Sequence, residues 1–306
     1  MPLHSPLFKG TLAIIIACFF WGTTGTSASF LTNVSPLAIG AFAMGLGGVM
    51  LVATSFNRIK QDAQVFYHNK RLVVCGGAAV AVYPLAFYSS MDLAGVAIGT
   101  VISIASAPIF TVLLERVVNQ KPITSQWVIQ FSLGVIGVYL LVSGKSNGTH
   151  SEDVFSAQVI GVVLGLVAGF SYALYAWVAR NLIEKGAHSK SAMASVFGIA
   201  ACLLLPPLLF TENNLFTTSM NAGIALYMAI FPMFMGYLLF GYGLKYVHAS
   251  QATLITLLEP ALATVMAVLI VGERFTLIGW FGAIIIMLSL AVKPKKSASN
   301  EQTSLA

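Results

Sequence analysis

An all-α polytopic membrane protein, with ten transmembrane helices as two inverted five-helix repeats, is what the composition and patterning of this chain dictate. Too little charge for a water-facing surface is the first reason. Ten apolar runs of membrane-crossing length are the second, and a weak self-similarity at half the chain length is the third. Of 306 residues, 58% are hydrophobic and only 8% charged, against roughly 25% charged in a soluble domain.

The runs are 11–31, 36–55, 72–90, 96–116, 125–143, 159–180, 192–211, 221–244, 249–271 and 276–292. Each comes near the roughly 20 apolar residues that cross a hydrocarbon core of about 30 Å. The first is too long for the apolar region of a cleavable leader, and it takes part in the repeat, so it reads as a spanning helix. None has the alternation or the ~10-residue length of a barrel strand. The polar stretches 57–71 and 144–157 and the tail from Lys293 are too short for cores of their own. The organisation expected is a first repeat over 1–143, an outside linker loop over 144–157, a second repeat over 158–293 and a flexible cytoplasmic tail over 294–306.

Basic residues set the orientation, because short cytoplasmic loops collect Lys and Arg. With the N-terminus inside and ten crossings, 14 of the 16 basic residues fall inside and only Lys145 and Arg274 outside. Both termini are therefore expected in the cytoplasm, with the chain multi-pass in a plasma or inner membrane. The net charge of +6 belongs to this asymmetry and to the lipid surface, so no nucleic-acid partner is expected. Cys18, Cys75 and Cys202 lie in apolar runs without paired spacing and read as small buried hydrophobes.

The repeat shows at an offset of about 151 residues. "GTLAIIIACFFW" (10–21) and "GVVLGLVAGFSY" (161–172) both open on Gly, and Trp21 matches Tyr172. Gly47 matches Gly198, Pro108 matches Pro260, and Trp127 falls near Trp280. Five helices per half is an odd number, so the second half enters the membrane upside-down. Transporters built this way hold substrate near the midplane between the repeats and expose it to one side at a time.

Four stretches, "FWGTTGTSA" (20–28), "SPLAIGAF" with "GLGG" (35–48), "AGVAIGTVISIASAP" (94–108) and "LLEPALATVMAVLIVGERFTLIGWFGA" (257–283), give the chain its resemblance to the EamA family of the drug/metabolite transporter superfamily. The resemblance runs along nearly the whole chain and is most specific in the last stretch. It implies ten helices in two inverted halves, both termini cytoplasmic, a central cavity, and transport of small metabolites, amino acids among them, or lipophilic compounds. Two positions depart from the family pattern: Ala43 stands where an Arg is common in the second helix, and Lys121 replaces a Glu typical of the turn after the fourth.

The candidate site centres on Glu259, an acid with a proline beside it near the middle of the ninth run. Placing a carboxylate there costs roughly 2.5–3.5 kcal/mol on insertion scales. Pro260 cannot donate to the carbonyl of Thr256 and so loosens the helix, beside the hydroxyls of Thr253 and Thr256. In a functional reading Glu259 holds a proton, a cation or a substrate amine; in an architectural reading it is a neutral acid hydrogen-bonded to a neighbouring helix. The matching first-half residue is Ala107, an asymmetry that favours function. Thr100 and Ser103 lie close to one helical face and suit either a polar substrate or helix packing. Trp21, Tyr83, Tyr172 and Tyr237 lie deep enough to line a cavity; Trp21 and Tyr172 could hold a cation or ring between them, or serve as core. Gly161, Gly165 and Gly169 invite close helix approach, within the protomer or in a homodimer. Glu115 and Arg116 read as solvated or locally paired at a helix end, with gating the alternative. His248 reads as interfacial. Asn147-Gly-Thr149 fits a glycosylation acceptor, relevant only in a eukaryotic secretory setting.

The function expected is secondary active transport of a small organic solute, amino-acid-like or lipophilic, with export as the direction. A passive facilitator or channel is the competing reading. No phosphate-binding loop points to ATP, so coupling to a proton, to an ion or to the solute's own gradient is expected. No cofactor or metal and no catalytic residue is expected, because the runs lack clustered His, Asp or Glu. A phosphorylated substrate is disfavoured, since no basic residue lies at mid-membrane to meet it. The partners foreseen are the small-molecule substrate and the lipid bilayer, for a monomer or homodimer.

Overall fold

A computed structural model describes residues 5–143, 155–211, 214–272, 274 and 276–291. The Asn147-Gly-Thr149 triplet, most of the linker and the tail over 294–306 lie outside the described residues. Ten long helices follow in order: α1 (Pro6–Ala28), α2 (Pro36–Gln61), α3 (Lys70–Ala94), α4 (Val96–Val117), α5 (Ser125–Ser143), α6 (Phe155–Glu184), α7 (Ser189–Leu208), α8 (Ser219–Leu244), α9 (Ala249–Val271) and α10 (Leu277–Ala291). The first nine are long and apolar enough to cross a membrane; α10 is as apolar but shorter. No strand occurs among the described residues. A short helix, Ala63–His68, follows α2, where only a polar loop is legible from sequence.

Local chemistry sets the helix starts. Ser5 accepts from Phe8 N at 3.2 Å and Pro6 opens α1. Thr218 accepts from Asn221 N at 3.0 Å to start α8. Such caps satisfy amides that have no partner within the helix.

The packing is that of two five-helix halves exchanged by a pseudo-two-fold axis. α3 packs on α6, and its repeat-related counterpart α8 packs on α1; α4 packs on α6 as α9 packs on α1. The axis passes between α2 and α7, and between α5 and α10, each of which packs on its own counterpart. The largest core cluster mixes both halves, with Ile14, Trp21, Met44 and Val80 against Tyr175, Phe197, Phe240 and Leu244.

Glycines let these helices meet at backbone distance. A Cβ on Gly48 of α2 would run into the carbonyl of Phe197 in α7, and one on Gly161 of α6 into the backbone of Ala94. Gly165 and Gly169 likewise face Ser90, Ile102 and Ser106 of α3 and α4, so the glycine row serves contact within the protomer. Ser90 Oγ fastens this seam by donating to the Gly161 carbonyl at 2.7 Å.

Loops sort onto two faces. On one, Asp62 accepts from His188 N at 2.8 Å and from the Ser191 hydroxyl, joining the α2–α3 and α6–α7 connections. Lys9, Arg58, Lys60, Lys70, Arg71, Lys121, Arg180 and Lys245 belong to the helix ends and connections of this basic face. On the opposite face, Asn221 accepts from Thr32 N at 3.2 Å and donates to the Thr32 carbonyl at 3.0 Å.

One expectation needs correction: only Cys18 is buried, whereas Cys75 and Cys202 are exposed on α3 and α7. Both stand on outward helix faces, where the solvent is lipid and a thiol costs nothing to expose. Gly48→Val should destabilise the fold by about 1–3 kcal/mol through overpacking, whereas Gly25→Ala, with open space around it, should not. Thermal unfolding of the detergent-purified variants measures both.

Candidate functional site

The ninth helix is not continuous. Ala249–Ile255 is α-helical, Thr256–Leu258 tightens to a 3-10 turn, and α-helix resumes at Glu259–Met266. Pro260 has no amide for the Thr256 carbonyl, and the Glu259 amide takes that carbonyl instead. The carbonyl expected to be free is therefore satisfied. One residue back, Cys18 Sγ donates to the Ile255 carbonyl at 3.9 Å. Glu259 thus begins a helical segment in the middle of the bundle.

Around it lies a cavity of about 50 Å³, lined by side chains of both halves. Trp21, Tyr83, Tyr172, Tyr237 and Glu259 all line it, as do Tyr88, Tyr175, Met44 and Met233. Glu259 is half-buried, and its carboxylate makes no hydrogen bond or ion pair with any described residue. The architectural reading, an acid bonded to a neighbouring helix, finds no support in this geometry.

The rings form a connected floor. Trp21 lies 4.9 Å from Tyr237 and Tyr83 lies 5.6 Å from Tyr172, between ring centroids, while Tyr172 stacks on Tyr175 at 5.2 Å. Trp21 and Tyr172 do not face each other directly; Phe240 sits between them, 5.4 and 6.3 Å away. Most polar tips are occupied: Trp21 Nε1 donates to the Pro232 carbonyl at 2.9 Å, and the Tyr175 and Tyr237 hydroxyls pair at 3.2 Å. Tyr172 Oη donates to Thr256 Oγ1 at 3.0 Å. Thr256 therefore acts behind the cavity wall, orienting Tyr172, rather than in it.

Thr100 and Ser103 are not brought to the cavity. Thr100 Oγ1 donates to Met91 Sδ at 3.4 Å, and Ser103 is fully buried beside Gly169 with no partner for its hydroxyl. The small residues of α4 serve packing on α6. Tyr88, Tyr175, Met44 and Met233 were absent from the sequence-based candidates; Tyr175 follows Tyr172 by one helical turn, the only signal that could have flagged it.

Thr24, Gly40, Met44, Phe87 and Tyr88 lie in the parts of their helices nearer the opposite face, so the cavity extends that way. Toward the basic face it is closed. Trp177 Nε1 donates to Asn119 Oδ1 at 2.6 Å, and Asn119 Nδ2 to Asn181 Oδ1 at 3.1 Å. Lys121 Nζ reaches Glu184 Oε1 at 3.2 Å and His248 Nδ1 at 3.1 Å, and Arg180 Nε reaches Glu184 at 2.9 Å. Arg180 also donates to the Leu244 carbonyl. Glu115 is buried, not solvated: it accepts from Ala249 N at 3.1 Å and from the Ser250 hydroxyl, and so caps α9. Nor is His248 merely interfacial, since it joins this network. Glu115, Asn119 and Lys121 each bind across from the first half to the second, and Lys121 Nζ also lies 3.9 Å from Glu115 Oε1 within the first half.

Inverted halves around a central cavity that is closed at one face define a multi-pass membrane transporter of the inverted-repeat type. The chain belongs to the EamA-like transporter family, which matches it twice, over residues 8–143 and 159–292. It is 34% identical over 97% of its length to the uncharacterized transporter YwfM of Bacillus subtilis, covering 98% of that protein. It is 23% identical to the uncharacterized inner membrane transporter YicL of Salmonella typhimurium, with 92% of this chain and 94% of that one aligned. A solved crystal structure shares the fold with a TM-score of 0.77 at 17% identity, over 92% of this chain and 95% of that one.

Accessibility tests the geometry. With the three native cysteines replaced, Thr24→Cys and Phe87→Cys, both half-buried in the cavity wall, should react with a membrane-impermeant thiol reagent. Ala176→Cys, buried beneath the tyrosine floor, should stay unlabelled.

Proposed function

We propose that the protein is a secondary active transporter that carries a small organic solute, amino-acid-like or lipophilic, across the membrane by alternating access at the interface of its two halves. The observation that carries this reading is the unpartnered carboxylate of Glu259 inside a cavity shared by both halves and sealed toward one face. A channel has no need of such a seal, whereas a carrier must always close one end. The cavity of about 50 Å³ is small beside the roughly 300–1,000 Å³ of ordinary ligand pockets. The solute must therefore widen it, which suits a cycle in which the halves move.

The basic face is assigned to the cytoplasm by the Lys and Arg bias. On that assignment the cavity leans outward and the Asn119–Trp177 and Lys121–Glu184 network is the cytoplasmic gate. A carboxylate reached from outside can load a proton there and carry it inward as solute leaves, which supports export coupled to the proton gradient.

Glu259→Gln should abolish flux, or uncouple it from a pH gradient, while leaving the fold intact. Flux and counterflow in proteoliposomes, with and without that gradient, decide it. Wild-type transport with unchanged pH dependence in the variant would sink the coupling role.

The gate has a pH signature of its own. Burial, then the Lys121 ammonium, hold the His248 imidazole below its ordinary value; Arg180 acts the same way, and Glu115 and Glu184 oppose it. A histidine depressed in the closed gate binds its proton more readily once the gate opens. Closure is thus favoured above the ordinary imidazole pKa of about 6.5 and weakens as pH falls below it. Labelling of Ala176→Cys should rise between pH 7.5 and about 5.5, and His248→Asn should remove that rise.

A further inference from the structure

We infer that the cavity selects an organic monocation, an amine or quaternary ammonium carrying an apolar or aromatic body. This rests on the reading of the cavity as the transport site and narrows its substrate class.

Charge complementarity is the first argument. Among the described lining residues there is one acid, Glu259, and no Lys, Arg or His. The carboxylate has no internal counter-charge. A cationic solute supplies it; an anion would meet repulsion in a site with no compensating cation. Ring faces are the second argument. Trp21, Tyr83, Phe87, Tyr88, Tyr172 and Tyr237 surround the same space, and aromatic faces attract ammonium groups most strongly where water is excluded. The lysine–ring contacts of the described residues, Lys60 on Phe56, Lys70 on Tyr67 and Lys245 on Tyr246, all lie at the basic face. The cavity rings are thus not occupied by a cation of the protein's own.

A zwitterion fares worse, because its carboxylate needs a strong donor. Thr24 Oγ1 already donates to the Trp21 carbonyl at 2.6 Å, and Trp21 Nε1 and Tyr172 Oη are likewise engaged. The hydroxyls of Tyr83 and Tyr88 remain, with one O–H of the Tyr175–Tyr237 pair, and three neutral donors do not match the charged donors that hold carboxylates elsewhere. Met44 and Met233 complete the wall with flexible thioethers that can repack around bodies of different shape.

A matched indole series tests this on the purified full-length protein: tryptamine as the cation, tryptophan as the zwitterion and indole-3-propionate as the anion, with tetraethylammonium as a ring-free cation. Isothermal titration should give a Kd for tryptamine at least ten-fold tighter than for tryptophan or indole-3-propionate, with tetraethylammonium also binding. Glu259→Gln should weaken tryptamine at least ten-fold. Tyr88→Leu should weaken both cations while Tyr88→Phe, which keeps the ring, should not, so the test survives if the glutamate variant fails to fold. Tryptophan or indole-3-propionate binding as tightly as tryptamine, with the same loss in Glu259→Gln, overturns the cation assignment and leaves the cavity as the site. Probe binding, of either cation included, that none of the cavity variants alters overturns the site as well, as does the absence of binding by every probe to monodisperse wild-type protein.

Discussion

The two halves meet backbone to backbone, and the interior is built from what that closeness leaves over. In lipid there is no hydrophobic gain in bringing two apolar helices together, so association relies on packing and on small residues at the contact. Gly48 against Phe197 provides it at the pseudo-two-fold axis, Gly161 against Ala94 and Gly165 against Ser90 on one side of it, and Gly243 against Gly10 on the other. Gly40 lies against the Tyr88 ring and Gly236 against the Trp21 indole. There the space a side chain would fill goes to an aromatic ring of the cavity wall. Larger residues at these positions would push the rings inward and erase the central space.

Upon this scaffold the halves have diverged where function differs from architecture. Both carry a proline at the repeat-related position, yet α4 runs unbroken through Pro108 while α9 breaks at Pro260. The break places Glu259 at the start of a helical segment, whereas its counterpart Ala107 is fully buried in the core. The bulk of the two halves is interchangeable and their centres are not. The same holds at the ends. Glu115 caps α9 at the basic face, while its repeat-related counterpart in α9 falls among the aliphatic turn Ala267–Val271.

The helix count, the pairing of opposed halves and the central place of Glu259 in the bundle were legible in sequence because each rests on a one-dimensional signal: run length, a repeat offset and a lone charge. Trp21, Tyr83, Tyr172 and Tyr237 were legible as deep aromatics, and all four reach the cavity. Thr100 and Ser103 stayed open between substrate contact and packing, because a hydroxyl that lines a cavity and one that packs against a glycine have the same sequence signature. Glu115 was misread because a helix-end acid usually faces water, and its partner Ala249 lies 134 residues away. The basic-face network as a whole depends on such distant pairs, which no local pattern discloses.

That network has an energetic consequence. Asn119, Lys121 and Glu115 bind across the halves at one end only, and the two-fold relation does not reproduce these bonds at the other. If the halves rock as proposed, the two conformers are therefore not degenerate, since the opposite face is joined by other bonds, from Asn221 to Thr32 and from Asn214 to Asn33. In that proposed cycle, each turnover must break one unlike set of cross-half bonds before the other can take its place.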